Sequence, residues 1–260
     1  MKSVGIIGFG RIGAHLYSKI KETTGLKVSF VYEITQEKTR GLDPNILVND
    51  IQGIRKSKAD LIVEAADFRA VETLAPLVLR ETDMMILSAS ALANEKLETE
   101  LQRVCKDSGH RMYIPHGALL GIDGFRDAKS AFDDMSITTI KAPKNLDFSF
   151  QKRWKMEEIE TRTVLHDGST REVCKLFPRN VNSHAVLAIS CLGFDRTHSV
   201  LIADPHSNVA SHQIVAKGGG AKTEITQASP IKGVTGDFTL ASVFGTVQRI
   251  LVENSGVNVV

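Results

Sequence analysis

The 260-residue chain has only three cysteines, Cys105, Cys174 and Cys191, and none of them in a C-x-x-C spacing. This argues against a disulfide framework or a zinc site, and no metal is expected; the three read as small buried hydrophobes in a reducing compartment. No apolar run approaches bilayer length, so no membrane span is predicted. Neither sign of charge dominates: 32 Lys and Arg face 30 Asp and Glu, a net charge of +2. Such a mixed surface gives no footprint for nucleic acid and no polybasic patch for a membrane. No signal-like segment stands ahead of the first strand, which predicts a cytoplasmic location. Internal repeats and low-complexity segments are also lacking. What remains is length enough for full cores in one or two domains.

Near the start, Val4-Gly5-Ile6-Ile7-Gly8-Phe9-Gly10-Arg11-Ile12-Gly13 reads as a buried strand, a glycine turn and the opening of a helix. Gly8, Gly10 and Gly13 fill the G-x-G-x-x-G pattern of a Rossmann dinucleotide site. The first permits the tight turn, the second lets backbone approach a pyrophosphate, and the third lets helix and strand pack closely. Helix N–H groups, including those around Arg11 and Ile12, then face the phosphates. Ile12, Leu16 and Ile20 supply the helical stripe. Twenty residues beyond Gly13, the apolar run from Val28 to Tyr32 ends in Glu33. A carboxylate at this place accepts from the adenosine ribose hydroxyls and repels a 2′-phosphate. NAD is therefore the expected cofactor, with NADP possible through Lys38 and Arg40; the plainer reading makes Glu33 a solvated strand-end charge.

Further strands are predicted at 60–66, 84–88 and 111–114, separated by helices, the last over 94–108. The residues from Thr35 to Asp50 read as a polar connection. This alternation specifies a doubly wound parallel sheet, whose carboxyl ends bring Ala65, Ala66 and Ser88 beside the cofactor. After Pro115 the pattern changes. Strands are predicted over Ser136–Ala142 and Arg162–His166, the latter ended by a turn at Asp167-Gly168. Ser169, with Glu172 completing a capping box, opens a helix through Leu176. A second helix runs from Val181 to Leu192, stopped by Gly193. Strands over Ser199–Ala203, Val209–Ala216 and Thr223–Gln227 then follow without intervening helices, which marks a second domain. Leu240, Val243, Phe244, Val247 and Leu251 line a late helix expected to return to the first domain, with a last strand at 257–260. The fold class is thus α/β: a Rossmann domain (residues 1–115 and 236–260) and a smaller α+β domain of mixed or antiparallel sheet (116–235).

Substrate is expected in the cleft of such a chain, with the cofactor carrying the redox chemistry and the protein handling protons. Of the eight histidines, His15, His110, His166 and His198 receive a structural reading. His212 shares a strand face with Ala210, Ile214 and Ala216, and periodicity alone reads it as a hydrogen-bonded core residue more readily than as a catalyst.

Taken with the fingerprint, Thr163–Glu172 followed by Phe177-Pro178-Arg179-Asn180-Val181-Asn182 resembles the L-aspartate dehydrogenase family. His116-Gly117-Ala118-Leu119-Leu120-Gly121-Ile122-Asp123 is similar to that family's S-G-A-x-x-G-x-D loop, and Gly193–Thr197 and Ala203-Asp204-Pro205 continue the match. The resemblance implies His212 as the catalytic histidine, Asn182 and Ala118 as NAD contacts, and a homodimer built on the second domain. It implies reversible oxidative deamination of L-aspartate to oxaloacetate and ammonia through iminosuccinate, with NAD or NADP. An imidazole with pKa near neutrality suits the proton transfers. The loop Gly117-Ala118, read as lying just before a helix, offers N–H groups to a carboxylate or to the nicotinamide amide, and His116 and Gly117 are candidate substrate residues. Asn182 has an N-cap as its alternative role. Three departures stand out: Asn182-Ser183-His184 replaces Asn-Val-Ala, Asn208–Ser211 lacks the arginine and asparagine common in the family just before the histidine, and Thr139–Pro143 loses the arginine of T-R-K-P-P. Lys141 and His184 are the candidates to replace those cations at the substrate. Two alternatives remain: the same reaction on another amino or imino acid, or a non-catalytic NAD(H)-binding sensor.

Overall fold

The computed structural model describes residues 1–230 and 236–252. The chain divides into two compact units, one of Met1–Pro115 with the described residues from Leu240 onward, the other of the described residues within His116–Thr239.

The first unit begins with β1 (Lys2–Ile7), α1 (Arg11–Glu22) and β2 (Leu26–Tyr32). A two-residue edge strand, β3 (Leu47–Val48), and a short helix, α2 (Ile51–Lys56), come next. Then follow β4 (Leu61–Glu64), α3 (Phe68–Val78), β5 (Met84–Ile86), α4 (Glu95–Ser108) and β6 (Met112–Tyr113). All pairs are parallel, in the order β3-β2-β1-β4-β5-β6. This is the doubly wound order whose direction reverses between β1 and β4, and ligands bind at that reversal. The polar connection expected from Thr35 to Asp50 thus holds a short strand, and α2 follows directly after it. Two residues are too few to show an alternation, although Asp50 caps α2 by accepting from the Gly53 N–H. Val4, Ile6, Leu16, Ile20, Val31, Leu61, Val63 and Met85 form the core. The late helix α8 (Asp237–Leu251) adds Val243 and Val247 to it, as its apolar stripe requires. The predicted strand at 257–260 lies outside the described residues.

The second unit contains α5 (Ile122–Asp127), β7 (Asp134–Lys141), β8 (Thr163–Ser169), α6 (Thr170–Leu176), α7 (Asn182–Ser190), β9 (Thr197–Ala203), β10 (Val209–Gly218) and β11 (Ala221–Pro230). Its sheet is mixed, in the order β11-β10-β7-β9-β8, with β7 and β9 parallel and the other pairs antiparallel. Ser169 and Glu172 make the capping box that opens α6. Asp167 and Gly168 do not turn the chain as expected. They pair with Val200 and Ser199 and extend β8, whose register shifts between Val164 and His166. Gly219 and Gly220 both hold positive φ and close the β10–β11 hairpin, the backbone twist that two-residue hairpins favour. Of the cysteines only Cys174 is buried; Cys105 and Cys191 are half-exposed, so the reading of three buried thiols holds for one.

Candidate active site

In the first unit the glycines divide their work as the spacing requires. Gly8 sits at φ +91°, and a Cβ there would fall 2.7 Å from the Ala65 carbonyl group. A Cβ on Gly13 would stand 2.1 Å from the Gly8 carbonyl oxygen, so only glycine lets α1 lie this close to the turn. A Cβ on Gly10 would meet nothing within 4 Å. α1 starts at Arg11 with Gly10 as N-cap, no capping side chain and no acid in its first turn. Its leading N–H groups and positive dipole end thus suit a pyrophosphate, and the open side of Gly10 gives room for one. The residues present fit a dinucleotide.

Glu33, directly after β2, is held by the same turn. One carboxylate oxygen accepts from the Phe9 N–H at 2.7 Å and the other from the Thr35 N–H at 2.9 Å, with Lys38 Nζ 3.6 Å away. Burial by itself would raise this carboxyl, but the two N–H donors and Lys38 outweigh it and leave its pKa lowered. Each oxygen keeps acceptor capacity for a further hydroxyl. Glu33 is therefore more than a solvated strand-end charge.

Sequence reading passed over Glu64. It lies at the end of β4, fully buried, and its carboxylate collects the N–H groups of Ala66 (2.7 Å), Leu87 (3.1 Å) and Ser88 (3.0 Å) and the Ser88 hydroxyl (3.0 Å). Burial pushes it up to about 7 against those donors. By this staple the Ala65-Ala66 and Ser88 loops are fixed relative to one another. The one available signal was a carboxylate inside the apolar run Leu61–Ala66.

In the second unit His212 pairs with Thr139 across β10 and β7, so both side chains share one face. His212 is 7% exposed, and its Nδ1 lies 2.8 Å from Thr139 Oγ1. Thr139 Oγ1 is also 2.7 Å from His184 Nε2, and His184 Nδ1 is 2.9 Å from Ser199 Oγ. Ser199 Oγ is 2.7 Å from Thr170 Oγ1, whose proton goes to the Thr197 carbonyl at 3.0 Å. Burial first, and then the charge of Lys141, bring His212 down to about 3. This corrects the expected near-neutral imidazole. Burial likewise holds His184 well below the ordinary imidazole range, with His212 and Lys141 adding to it. His184 is wholly inaccessible with both nitrogens engaged, so it cannot serve as the expected cation at a substrate. It stands behind His212 instead.

Lys141, two residues beyond Thr139 on the same strand, is buried and donates to the Asn180 carbonyl at 3.2 Å. Burial lowers it to about 8. Asn180 in turn accepts from the Asp147 N–H and donates to the Asn145 carbonyl, so the F-P-R-N-V-N element positions this ammonium group. Asn182 is the first residue of α7 and Val181 its N-cap, which removes the capping role considered for Asn182. His116, Gly117 and Ala118 form a turn closed by Leu119 N–H to the His116 carbonyl. α5 opens at Ile122 with Gly121 as its N-cap, so the loop does lead into a helix, whose first residue lies four positions beyond Ala118.

Two family models match: aspartate dehydrogenase, C-terminal, over residues 123–250, and the NAD binding domain of homoserine dehydrogenase over residues 8–115. The L-aspartate dehydrogenase of Nitrosopumilus maritimus is 30% identical over 228 residues, 84% of each chain. That of Methanosarcina acetivorans is 34% identical over 200 residues, 74% of each. Among solved structures, aspartate dehydrogenase from Thermotoga maritima superposes with a TM-score of 0.77 at 25% identity, covering 98% of this chain and 99% of that one.

Proposed function

This chain belongs to the aspartate dehydrogenase family, and on that premise we propose that it catalyses the reversible NAD(P)-dependent oxidative deamination of L-aspartate to oxaloacetate and ammonia. The observation that carries the reading is a buried imidazole and a buried ammonium, His212 and Lys141, on one face of the second unit's sheet. Deamination of an amino dicarboxylate needs a proton acceptor for the water that attacks the imine and a cation for a carboxylate.

Gly8, Gly10, Gly13 and the N–H groups at Arg11 and Ile12 would hold the pyrophosphate, with Glu33 on the adenosine ribose. Ala65, Ala66 and Ser88, and from the second unit Ala118 and Asn182, complete the proposed cofactor set. NAD(P), when bound, supplies the acceptor for the hydride leaving the substrate carbon. The chain handles the rest. A base whose conjugate acid ionises near 3 takes no proton from an ammonium ion, so the amine must arrive neutral. His212 would then accept the proton of the water that attacks the imine carbon of iminosuccinate. Substrate carboxylates bring negative charge near the ring and offset the Lys141 charge that depresses it. Lys141, and the N–H groups of the His116-Gly117 turn, are the proposed carboxylate partners. The working protein is proposed to be a cytoplasmic homodimer assembled through the second unit, which the family resemblance supports and sedimentation checks. Among the described residues no helix is long and apolar enough to cross a membrane.

Initial rates with a panel of amino acids and both coenzymes test the proposal. L-aspartate is expected to give NADH at alkaline pH, and oxaloacetate with ammonia to consume it. Turnover with none of the acids rejects a dehydrogenase; a clear preference for another acid keeps the chemistry and changes the substrate.

Glu33 sets the coenzyme. Its replacement Glu33→Gln removes the charge while keeping the shape, and is expected to weaken NADH about tenfold, as loss of a hydrogen bond to a charged group does. NADPH should gain relative to NADH, since Lys38 loses its carboxylate partner. Titrating both coenzymes by nucleotide fluorescence decides it; an unchanged ratio refutes the role.

A further inference from the structure

The row of polar side chains behind His212 has a direction. A carbonyl oxygen can only accept, so the single proton of the Thr170 hydroxyl is spent on Thr197. The 2.7 Å contact between Thr170 and Ser199 must then be filled by the Ser199 proton. Having given that proton away, Ser199 Oγ can only accept from His184, which places a hydrogen on His184 Nδ1. A fully buried imidazole with Lys141 and His212 nearby stays neutral, so its Nε2 carries a lone pair. Thr139 donates to that lone pair, and its own oxygen accepts from His212 Nδ1. Each link forces the next. The reverse polarity would set two oxygens, Thr170 Oγ1 and the Thr197 carbonyl, 3.0 Å apart with no hydrogen between them.

We propose that the chain of hydrogen bonds from the Thr197 carbonyl through Thr170, Ser199, His184 and Thr139 fixes His212 as its Nδ1–H tautomer and so presents Nε2 as the proton acceptor. Thr139, His184, Ser199 and Thr170 are positioning residues, since none needs to touch the substrate. The consequence for catalysis rests on the proposed role of His212; the tautomer itself does not. A histidine free to carry its proton on Nε2 would be a donor toward the substrate and useless as a base there. The device resembles the third group of a hydrolytic triad, which holds an imidazole in the correct tautomer. Here a hydroxyl replaces the carboxylate. It sets orientation without a negative charge to retain the proton, so the ring can give the proton up again.

Nitrogen NMR of the full-length protein labelled with ¹⁵N-histidine, near neutral pH, tests this directly. Both His212 and His184 are expected to show a protonated Nδ1 and an unprotonated Nε2. A protonated Nε2 on His212 overturns the proposal. The remote variant Thr170→Val removes the group that sets polarity, and the Nε2–H form of His212 is expected to appear in it. Thr170→Ser, which keeps the hydroxyl, is expected to restore the single tautomer. An unchanged His212 spectrum in Thr170→Val also overturns the proposal, and if that variant fails to fold the wild-type spectrum still decides. In turnover, Thr139→Val should lower kcat about tenfold or more, with little change in KM, and Thr139→Ser should recover most of it. Because the spectra need no substrate, correct tautomers in a protein that turns over no amino acid would reject the dehydrogenase reading alone.

Discussion

Changing His212 to glutamine is expected to lower kcat and kcat/KM for L-aspartate together by about 10²–10⁴-fold, the usual worth of a positioned acid–base group. Glutamine retains an N–H that can reach Thr139 Oγ1, so the side chain has a partner and the sheet keeps its register. What it lacks is a nitrogen that can take up a proton. The glycine turn and Glu33, which hold the nucleotide in this reading, lie in the first unit, whereas His212 belongs to β10 of the second. NADH affinity should therefore stay within about twofold of wild type, in keeping with a loss confined to the transition state. Stopped-flow turnover and a nucleotide titration on the same preparation separate the outcomes. If kcat falls less than tenfold, His212 is only a core residue that happens to be hydrogen-bonded, and another group carries the proton. If NADH affinity collapses as well, the substitution has disturbed the fold and says nothing specific about proton transfer.

The parts of this molecule that could be read from its sequence are those whose partners lie close along the chain. Gly8, Gly10 and Gly13 are within one turn and helix start, and Glu33 follows at the end of the next strand. The capping box at Ser169 and Glu172 spans three residues. His212 announced its face by alternation with Ala210 and Ile214, both buried. By contrast Thr139 meets His212 from 73 residues away and His184 from 45. Those contacts exist because β7 sits between β10 and β9 in the sheet, a register that no local pattern announces. Glu64 is similar: Ser88 is 24 residues on, and without that loop a carboxylate among Leu61, Ile62 and Val63 looks like an interruption of the apolar run. The misjudged role of His184 has the same origin. Its place two residues beyond Asn182 was legible, but the packing of Ser199 against it was not.

The same burial that keeps His212 and His184 neutral should make the protein lose stability in mild acid. In the unfolded chain a histidine binds a proton below about pH 6.5. In the folded protein His212 waits until about pH 3, and His184 also titrates well below its ordinary range. Across this window unfolding takes up a proton at each ring. Stability therefore falls as pH falls, by roughly 1 kcal/mol per pH unit for each histidine. Glu64 works the other way. Its folded carboxyl binds a proton from about pH 7 downward, whereas unfolded it waits for about 4.5, so its contribution grows as the solution is acidified through that interval. Two protons taken up against one released leave a net slope of roughly 1 kcal/mol per pH unit between about pH 6.5 and 4.5. A loss of about 2 kcal/mol over the interval is a sizeable share of the 5–15 kcal/mol that holds an ordinary domain folded. Carboxylates with lowered pKa, such as Glu33, Asp60 and Asp147, add their own losses only near and below their unfolded values. Urea unfolding at a series of pH values gives the slope, and the variants identify its source. His212→Gln should flatten it by one proton, and Glu64→Gln should steepen it by one. A wild-type stability that holds level or rises from pH 6.5 to 4.5, with no change in His212→Gln, would mean that the ring is solvated and charged in the folded protein. An imidazolium at His212 would still donate its Nδ1–H to Thr139 and keep the row's polarity, but its Nε2 would already carry a proton and could not serve as the acceptor.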